Sequence, residues 1–184
     1  EHIQVVTETG RVELIVGGDD AIDVTFLAGA KNETWQDRVD GDTLVIESVC
    51  TDGEVGCAGA FLITLPASTD ATIQTTDGSV ALGDGLTGHY ALTTVSGGVS
   101  GQGLGPASLD VLTNGLFDVD FAEAPSSVDV DGGKEDLTLT VPAGAYALSL
   151  DAVGTITVDD AIDDDASGPP VTMQTTADLT LRAR

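Results

Sequence analysis

The chain has 184 residues, enough for one domain with a substantial core, and carries a formal net charge of -25 from 31 acidic against 6 basic side chains. A surface of that sign repels phosphate backbones and anionic lipid, which argues against nucleic acid and acidic membranes as partners. Hydrophobic residues make up 41% of the sequence but aromatic residues only 4%, a composition suited to thin layers of Val, Leu, Ile and Ala rather than to one bulky core.

In chain order, His2 to Thr7 and Arg11 to Val16 read as strands around a turn at Gly10. Ala21 to Leu27 alternates after the turn Gly17-Gly18-Asp19-Asp20, and Asn32 to Val39 carries the only tryptophan, Trp35. Thr43 to Val49 and Ala60 to Leu65 complete an N-terminal part, residues 1–65. Alternating apolar residues between Gly and Asp punctuation are the strand-and-turn signal, and no window shows a capped 3.6-residue period. Trp35 is expected in the core or as a cap over an open end.

From Pro66 onward the chain repeats itself. Thr75-Thr76-Asp77-Gly78-Ser79-Val80-Ala81-Leu82 matches Thr7-Glu8-Thr9-Gly10-Arg11-Val12-Glu13-Leu14. Weaker copies follow at Thr94 to Val99, Thr113 to Val119 and Ala152 to Val158, with a last one near Thr176 to Leu181. The glycines Gly78, Gly97, Gly115, Gly133 and Gly154 are spaced 19, 18, 18 and 21 residues apart. Pro66 and Pro142 each lie twelve residues before a repeat glycine, Gly78 and Gly154. A period near twenty with one strand and turn per copy predicts an all-β solenoid or roll of short stacked strands, residues 66–184, continuous with a strand-rich N-terminal cap. Gly10, Gly78, Gly97, Gly115 and Gly154 are expected at tight corners with positive φ. Asp159 to Pro170 interrupts the pattern as an exposed loop.

Cys50 and Cys57 flank Thr51-Asp52-Gly53-Glu54-Val55-Gly56. The spacing favours a disulfide over a Gly-rich turn, contributing about 2.5 kcal/mol in the chain-entropy model. Zinc is the rival, but two thiols without a nearby histidine are half a site. A disulfide implies an oxidising compartment. No run approaches the length of a membrane-spanning helix, and the chain begins at Glu1 with no signal sequence. The expected location is the cell exterior, any export signal having been removed or lying outside this sequence.

Candidate chemistry is sparse. His2 and His89 are the only histidines, and no strained nucleophile motif accompanies them. Carboxylates are plentiful, but cleavage of a polysaccharide calls for sugar platforms that one Trp, two Tyr and four Phe scarcely supply. No catalytic residues are assigned. Calcium is the better chemical candidate: Asp129-Val130-Asp131-Gly132 is a fragment of an EF-hand loop, and Asp159, Asp160 and Asp163 sit in the densest acidic cluster. Solvated turn aspartates are the plainer explanation of both. The threonine pairs Thr75-Thr76 and Thr93-Thr94 read as solvent-facing strand residues rather than an ice-binding ladder.

The two chain ends are strand-like. Ile3 and Val5 at one end, and Leu179 and Leu181 at the other, are candidates for pairing with neighbouring copies, which would propagate into a ring or filament. A monomer with its termini paired inside its own sheet is the alternative.

On the residues above, the chain resembles the putative-adhesin family of bacterial and archaeal cell-envelope β-solenoid domains. The matching features are the N-terminal T-x-T-G-x-V-x-L, Leu65-Pro66 leading to Thr76-Asp77-Gly78-Ser79-Val80, the serial glycines, Val141-Pro142 with Tyr146 and Gly154, and the closing Thr175-Thr176-Ala177-Asp178-Leu179-Thr180-Leu181. The pattern departs at Ala177, where the family has glycine. The resemblance implies an exported, non-enzymatic, surface-associated domain and names no ligand. From the residues themselves, self-association and surface glycans are the expected partners, and no cofactor is expected other than calcium. The alternatives carried forward are a glycan- or calcium-binding module and, behind it, a polysaccharide-cleaving enzyme.

Overall fold

The structure is a computed structural model that describes residues 1–18, 20–27, 33–50 and 59–184. All of its regular structure is β. The chain starts with β1 (His2–Thr7) and β2 (Arg11–Val16), followed by β3 (Asp23–Leu27), β4 (Glu33–Asp40), β5 (Thr43–Cys50) and β6 (Ala60–Leu65). Regular coils follow, each with one strand in either sheet: β7 (Asp70–Thr75) with β8 (Ser79–Leu82), β9 (His89–Thr94) with β10 (Val99–Leu104), β11 (Ser108–Thr113) with β12 (Phe117–Phe121), and β13 (Ser127–Gly132) with β14 (Leu137–Val141). The chain ends with β15 (Gly144–Ala152), β16 (Ile156–Val158), β17 (Ile162–Asp164), β18 (Pro170–Thr175) and β19 (Leu179–Ala183).

These strands build two facing sheets, so the protein is a β-solenoid. The first has the order β17-β15-β18-β13-β11-β9-β7-β1-β5-β4 and the second β16-β19-β14-β12-β10-β8-β2-β6-β3. Register in the first sheet advances nineteen residues per coil, from Ala71 to Tyr90 to Leu109 to Val128. Each strand of the regular coils has one face toward the opposite sheet and one toward water, so its residues alternate, unlike strands of parallel sheets covered on both faces. Ile73, Leu92, Val111 and Val130 line one wall of the core, and Val80, Val99, Phe117 and Leu137 the other. Small aliphatic rungs suffice because each coil closes against the next.

Strand order differs from chain order at both ends. β1 lies between β5 and β7, and β2 between β6 and β8. At the other end, β18 lies between β13 and β15, and β19 between β14 and β16. Both terminal coils are therefore interior, with parallel partners on each side. Ile3, Val5, Leu179 and Leu181 are fully buried core residues. The expectation that they form open edges is corrected: their backbones are already paired within the sheets. β1 and β2 also belong to the stack itself, and only β3 and β4 act as an N-terminal cap.

That cap is antiparallel, β4 on β5 and β3 on β6. Phe26 and Trp35 stack at 6.2 Å between ring centroids, and Phe61 meets them at 5.2 and 6.3 Å. The three rings close the space between the sheets, and Trp35 is the cap residue anticipated from the sequence. The opposite end is half closed. Ile162, from the stretch read as a plain exposed loop, is buried, whereas Leu148 and Leu150 are half-buried and Val153 and Ile156 are exposed. Asp164 accepts a hydrogen bond from the Leu148 amide at 3.1 Å and so blocks part of the β15 edge, a common protection for exposed strands.

The repeat glycines mark corners, but for a different reason than expected. Of Gly10, Gly78, Gly97, Gly115 and Gly154, only Gly10 has a positive φ, 112°. The others are confined by stacking. A Cβ on Gly78 would collide with the carbonyl oxygen of Gly10, one on Gly97 with that of Gly78, one on Gly115 with that of Gly97, and one on Gly154 with that of Ala177. Corners of successive coils touch backbone to backbone.

Inside these corners runs a row of threonines. Thr7, Thr75, Thr94 and Thr113 are register partners on adjacent strands; the row passes Gly132, and Thr175 serves the last coil. All five threonines are buried, which corrects the solvent-facing assignment of Thr75 and Thr94. All but one of their hydroxyls serve corner groups that face away from water and need partners. Thr113 Oγ1 accepts from the Gly115 amide at 3.0 Å and shares a 2.7 Å hydrogen bond with Thr94 Oγ1, which lies 2.6 Å from the Gly97 carbonyl. Thr175 Oγ1 accepts from the Ala177 amide at 3.1 Å, so the corner lacking glycine keeps the same internal brace. The buried Thr75 hydroxyl has no partner. Thr113→Val should therefore lower stability by about 1–3 kcal/mol, by orphaning the Gly115 amide. Thr75→Val should be neutral or stabilising, because it removes an unsatisfied group. Urea midpoints of the two variants, measured side by side, check the contrast; equal losses would mean that the row braces nothing.

Candidate functional site

A surface groove of about 480 Å³ crosses the outer face of the second sheet. Its floor is made of small residues: Ala81 and Ser100 are register partners on β8 and β10, with Glu13 of β2 on one flank and Asp118 of β12 on the other. β10 bulges between Gly101 and Leu104, where Gly103 has φ 66°, and Gln102 and Asp84 line that end of the groove. Arg11 pairs with Glu13 at 3.1 Å, and Arg184 with Asp120 at 3.3 Å. The other Asp120 oxygen, Oδ1, is buried without a hydrogen-bond partner. Asp118 and Asp120 share the outward face, as their alternation indicates. The groove offers carboxylates, an amide and a hydroxyl around a shallow floor, donors and acceptors of the kind that bind polyhydroxylated ligands.

A second groove, about 440 Å³, lies on the first sheet and includes Thr72, Gln74, Asp110, Leu112, Asp129 and Asp131. Asp129 and Asp131 stand exposed on β13, a strand paired on both sides rather than a loop, so the stretch does not adopt the EF-hand loop form. Asp159 accepts from the Ala161 amide at 3.0 Å as a turn cap, while Asp160 and Asp163 are exposed. Among the described residues no group of three His, Cys, Asp or Glu side chains is placed to hold a metal ion. Cys50 ends β5; Cys57, and with it the proposed pairing, lies outside the described residues.

A smaller groove beside the second, about 220 Å³, is lined by His2, Asp70 and His89. His2 is the register partner of Asp70, and the His89 amide donates to Asp70 Oδ1 at 2.8 Å. His89 Nε2 lies 2.9 Å from Asp110 Oδ2. Sequence reasoning treated the two histidines separately; 86 residues of intervening chain hide a grouping that only the pairing of β1 with β7 creates.

The tyrosines brace the corner opposite the threonines. Tyr90 Oη lies 3.2 Å from the Gly88 amide and 3.4 Å from the Ala67 carbonyl, and Tyr146 donates to the Pro142 carbonyl at 2.8 Å. Burial pushes the Tyr90 phenol up to about 12. The unfolded chain releases that proton near pH 10. The stabilisation is therefore intact below pH 10 and lost as pH rises through about 12. Phenolate absorbance should rise together with unfolding in that window. Tyr90→Phe should flatten the stability profile there.

The fold and its grooves define a two-sheet parallel β-solenoid with polar outer faces and shallow, carboxylate-rimmed troughs. No protein-family model matches the sequence, and no curated protein matches it. The chain is similar in structure to a putative cell adhesion protein from Clostridium sporogenes ATCC 15579, seen in a crystal structure, with a TM-score of 0.57 and 12% identity over 100% of this chain and 92% of that one. At that identity the likeness is one of fold.

Proposed function

We propose that the protein is a non-enzymatic, adhesin-like module of a cell surface. The observation that carries this reading is the end-to-end structural likeness to a putative cell adhesion protein, over 100% of this chain. The charge of -25 supports it, because such a surface stays soluble and resists chance association. A closely stacked backbone with polar faces is a rigid platform rather than a catalytic cleft. Head-to-tail polymerisation through β1 or β19 has no free edge to use in this fold, so the proposal is for a module and not for a filament.

The groove over Ala81 and Ser100 favours surface glycans as the ligand class. Two measurements test the reading. Surface biotinylation of intact source cells should label the protein, and beads coated with it should adhere to cells or to their extracellular glycan. Ser100→Trp, which fills the floor of the groove, should reduce adhesion while leaving the thermal midpoint in place. A protein confined to the cytosol, or coated beads that attach no better than bare ones, would overturn the proposal.

A further inference from the structure

We propose that the open end of the stack, formed by β15 and β16, takes an extended basic segment of a partner protein as an added strand. Odd-numbered residues of β15 and its corner turn their backbone groups toward β18: the Ala147 amide donates to the Pro169 carbonyl at 3.0 Å and the Val153 amide to the Thr175 carbonyl at 3.2 Å. Even-numbered residues turn theirs the other way. There β17 pairs only with Gly144, Ala145 and Tyr146, and Asp164 takes the Leu148 amide at 3.1 Å. Beyond Leu148 no described strand continues on that side. Strand alternation therefore leaves the Leu148 carbonyl, and both backbone groups of Leu150 and Ala152, directed outward. β16 is the last strand of its sheet. The Thr155 carbonyl and the Asp159 amide bond to β19 at 2.9 Å each, so Ile156 and Val158 also direct their backbone groups outward.

The same residues are the last layer of the core. Leu148, Leu150 and Ile156 are register partners of Val171, Met173 and Leu179, all fully buried. Yet Leu148 and Leu150 are only half-buried, and Ile156 is 42% exposed. An added strand would cover them as each coil covers the one before it. The end thus offers unpaired ladder groups and an apolar bed for alternate side chains, the two elements of recognition by strand addition. Charge selects the occupant. Asp151, Asp159, Asp160 and Asp163 stand exposed around this end, and none of them belongs to an ion pair among the described residues. A second copy would bring the same carboxylates and another charge of -25 against them, a like-charge contact that opposes association. A segment that alternates apolar residues with Lys or Arg complements both features. Its apolar side chains cover Leu148 and Leu150, and its basic ones lie beside Asp151.

The test is titration of a synthetic peptide of about eight alternating Val and Lys residues, within the usual length of a strand, into the full chain. Fluorescence polarisation reads affinity, and hydrogen exchange reads the place of binding. One peptide should bind per chain and slow exchange of the Leu150 and Ala152 amides. Two control peptides carry the same charge, one with its Val and Lys in separate blocks and one N-methylated along its backbone. Each should bind at least about ten-fold more weakly, because the first cannot alternate and the second cannot donate. Ala152→Pro removes an outward donor and no ladder hydrogen bond, as prolines at sheet edges do. It should weaken the alternating peptide by about ten-fold with the thermal midpoint in place. The proposal is overturned if either control peptide binds as tightly as the alternating one, or if Ala152→Pro binds as the parent does. It is overturned equally if the parent is a dimer that Ala152→Pro dissociates, which assigns the end to a second copy. The control peptides decide the matter on the parent chain alone, whatever the stability of the variant.

Discussion

Removing residues 170–184 should abolish cooperative folding rather than shorten the stack. In a regular solenoid the last repeat is an end, and trimming it costs one interface. Here β18 and β19 are flanked on both sides, and Val171, Met173, Leu179 and Leu181 are fully buried. At about 2 kcal/mol per buried side chain the lost burial is about 8 kcal/mol, comparable with the whole stability of a typical domain. It also parts the β15–β16 coil from the rest. Loss of residues 1–7 should act alike, since it removes Ile3 and Val5 between β5 and β7. Circular dichroism melts and hydrogen exchange check both truncations. A truncated chain with a sharp melt and protected amides in β9 to β14 would contradict the interior placement of the terminal coils.

The second large effect is expected at the corners. Gly97→Ala puts a methyl group against the carbonyl of Gly78, a backbone atom tied into its own coil. Overpacking of this kind costs up to about 3 kcal/mol, or a fall in melting temperature of about 10 °C for a chain of this size. Gly18→Ala is the control, because nothing lies within 4 Å of the added methyl. It should be close to neutral. Equal losses at the two sites would mean that the corners do not stack as described.

The repeat was legible in the sequence because a strand with one wet face must alternate and a stacked corner must exclude Cβ. Both constraints act on neighbouring residues, so they leave local marks at Gly78, Gly97 and Gly115. Their physical cause was not legible: a glycine needed for positive φ and one needed for close approach look alike. The strand order was also hidden, because every coil carries similar rungs and spacing does not reveal which coil lies beside which. One signal was available. The N-terminal copy, Thr7 to Leu14, matches the interior motif at Thr75 to Leu82 closely, whereas end coils of solenoids have polar outer faces. The degenerate copy from Ala152 to Val158 is the one that lies at an end of the stack. The grooves could not be read at all, since Glu13, Ala81, Ser100 and Asp118 meet only through pairings between distant strands.

The interior position of the two terminal coils also sets an order of events during synthesis. The slot between β13 and β15 is filled by β18, which leaves the ribosome after β15, β16 and β17. β1 likewise waits for partners at Thr43 and Asp70 on either side, both made after it. Contacts this far apart in sequence form slowly, on millisecond-to-second scales in small β proteins. The core thus cannot be completed before β18 and β19 have been made. Until β18 and β19 fill that slot, both sheets stay open in their interior, and the β15–β16 coil has nothing to dock on.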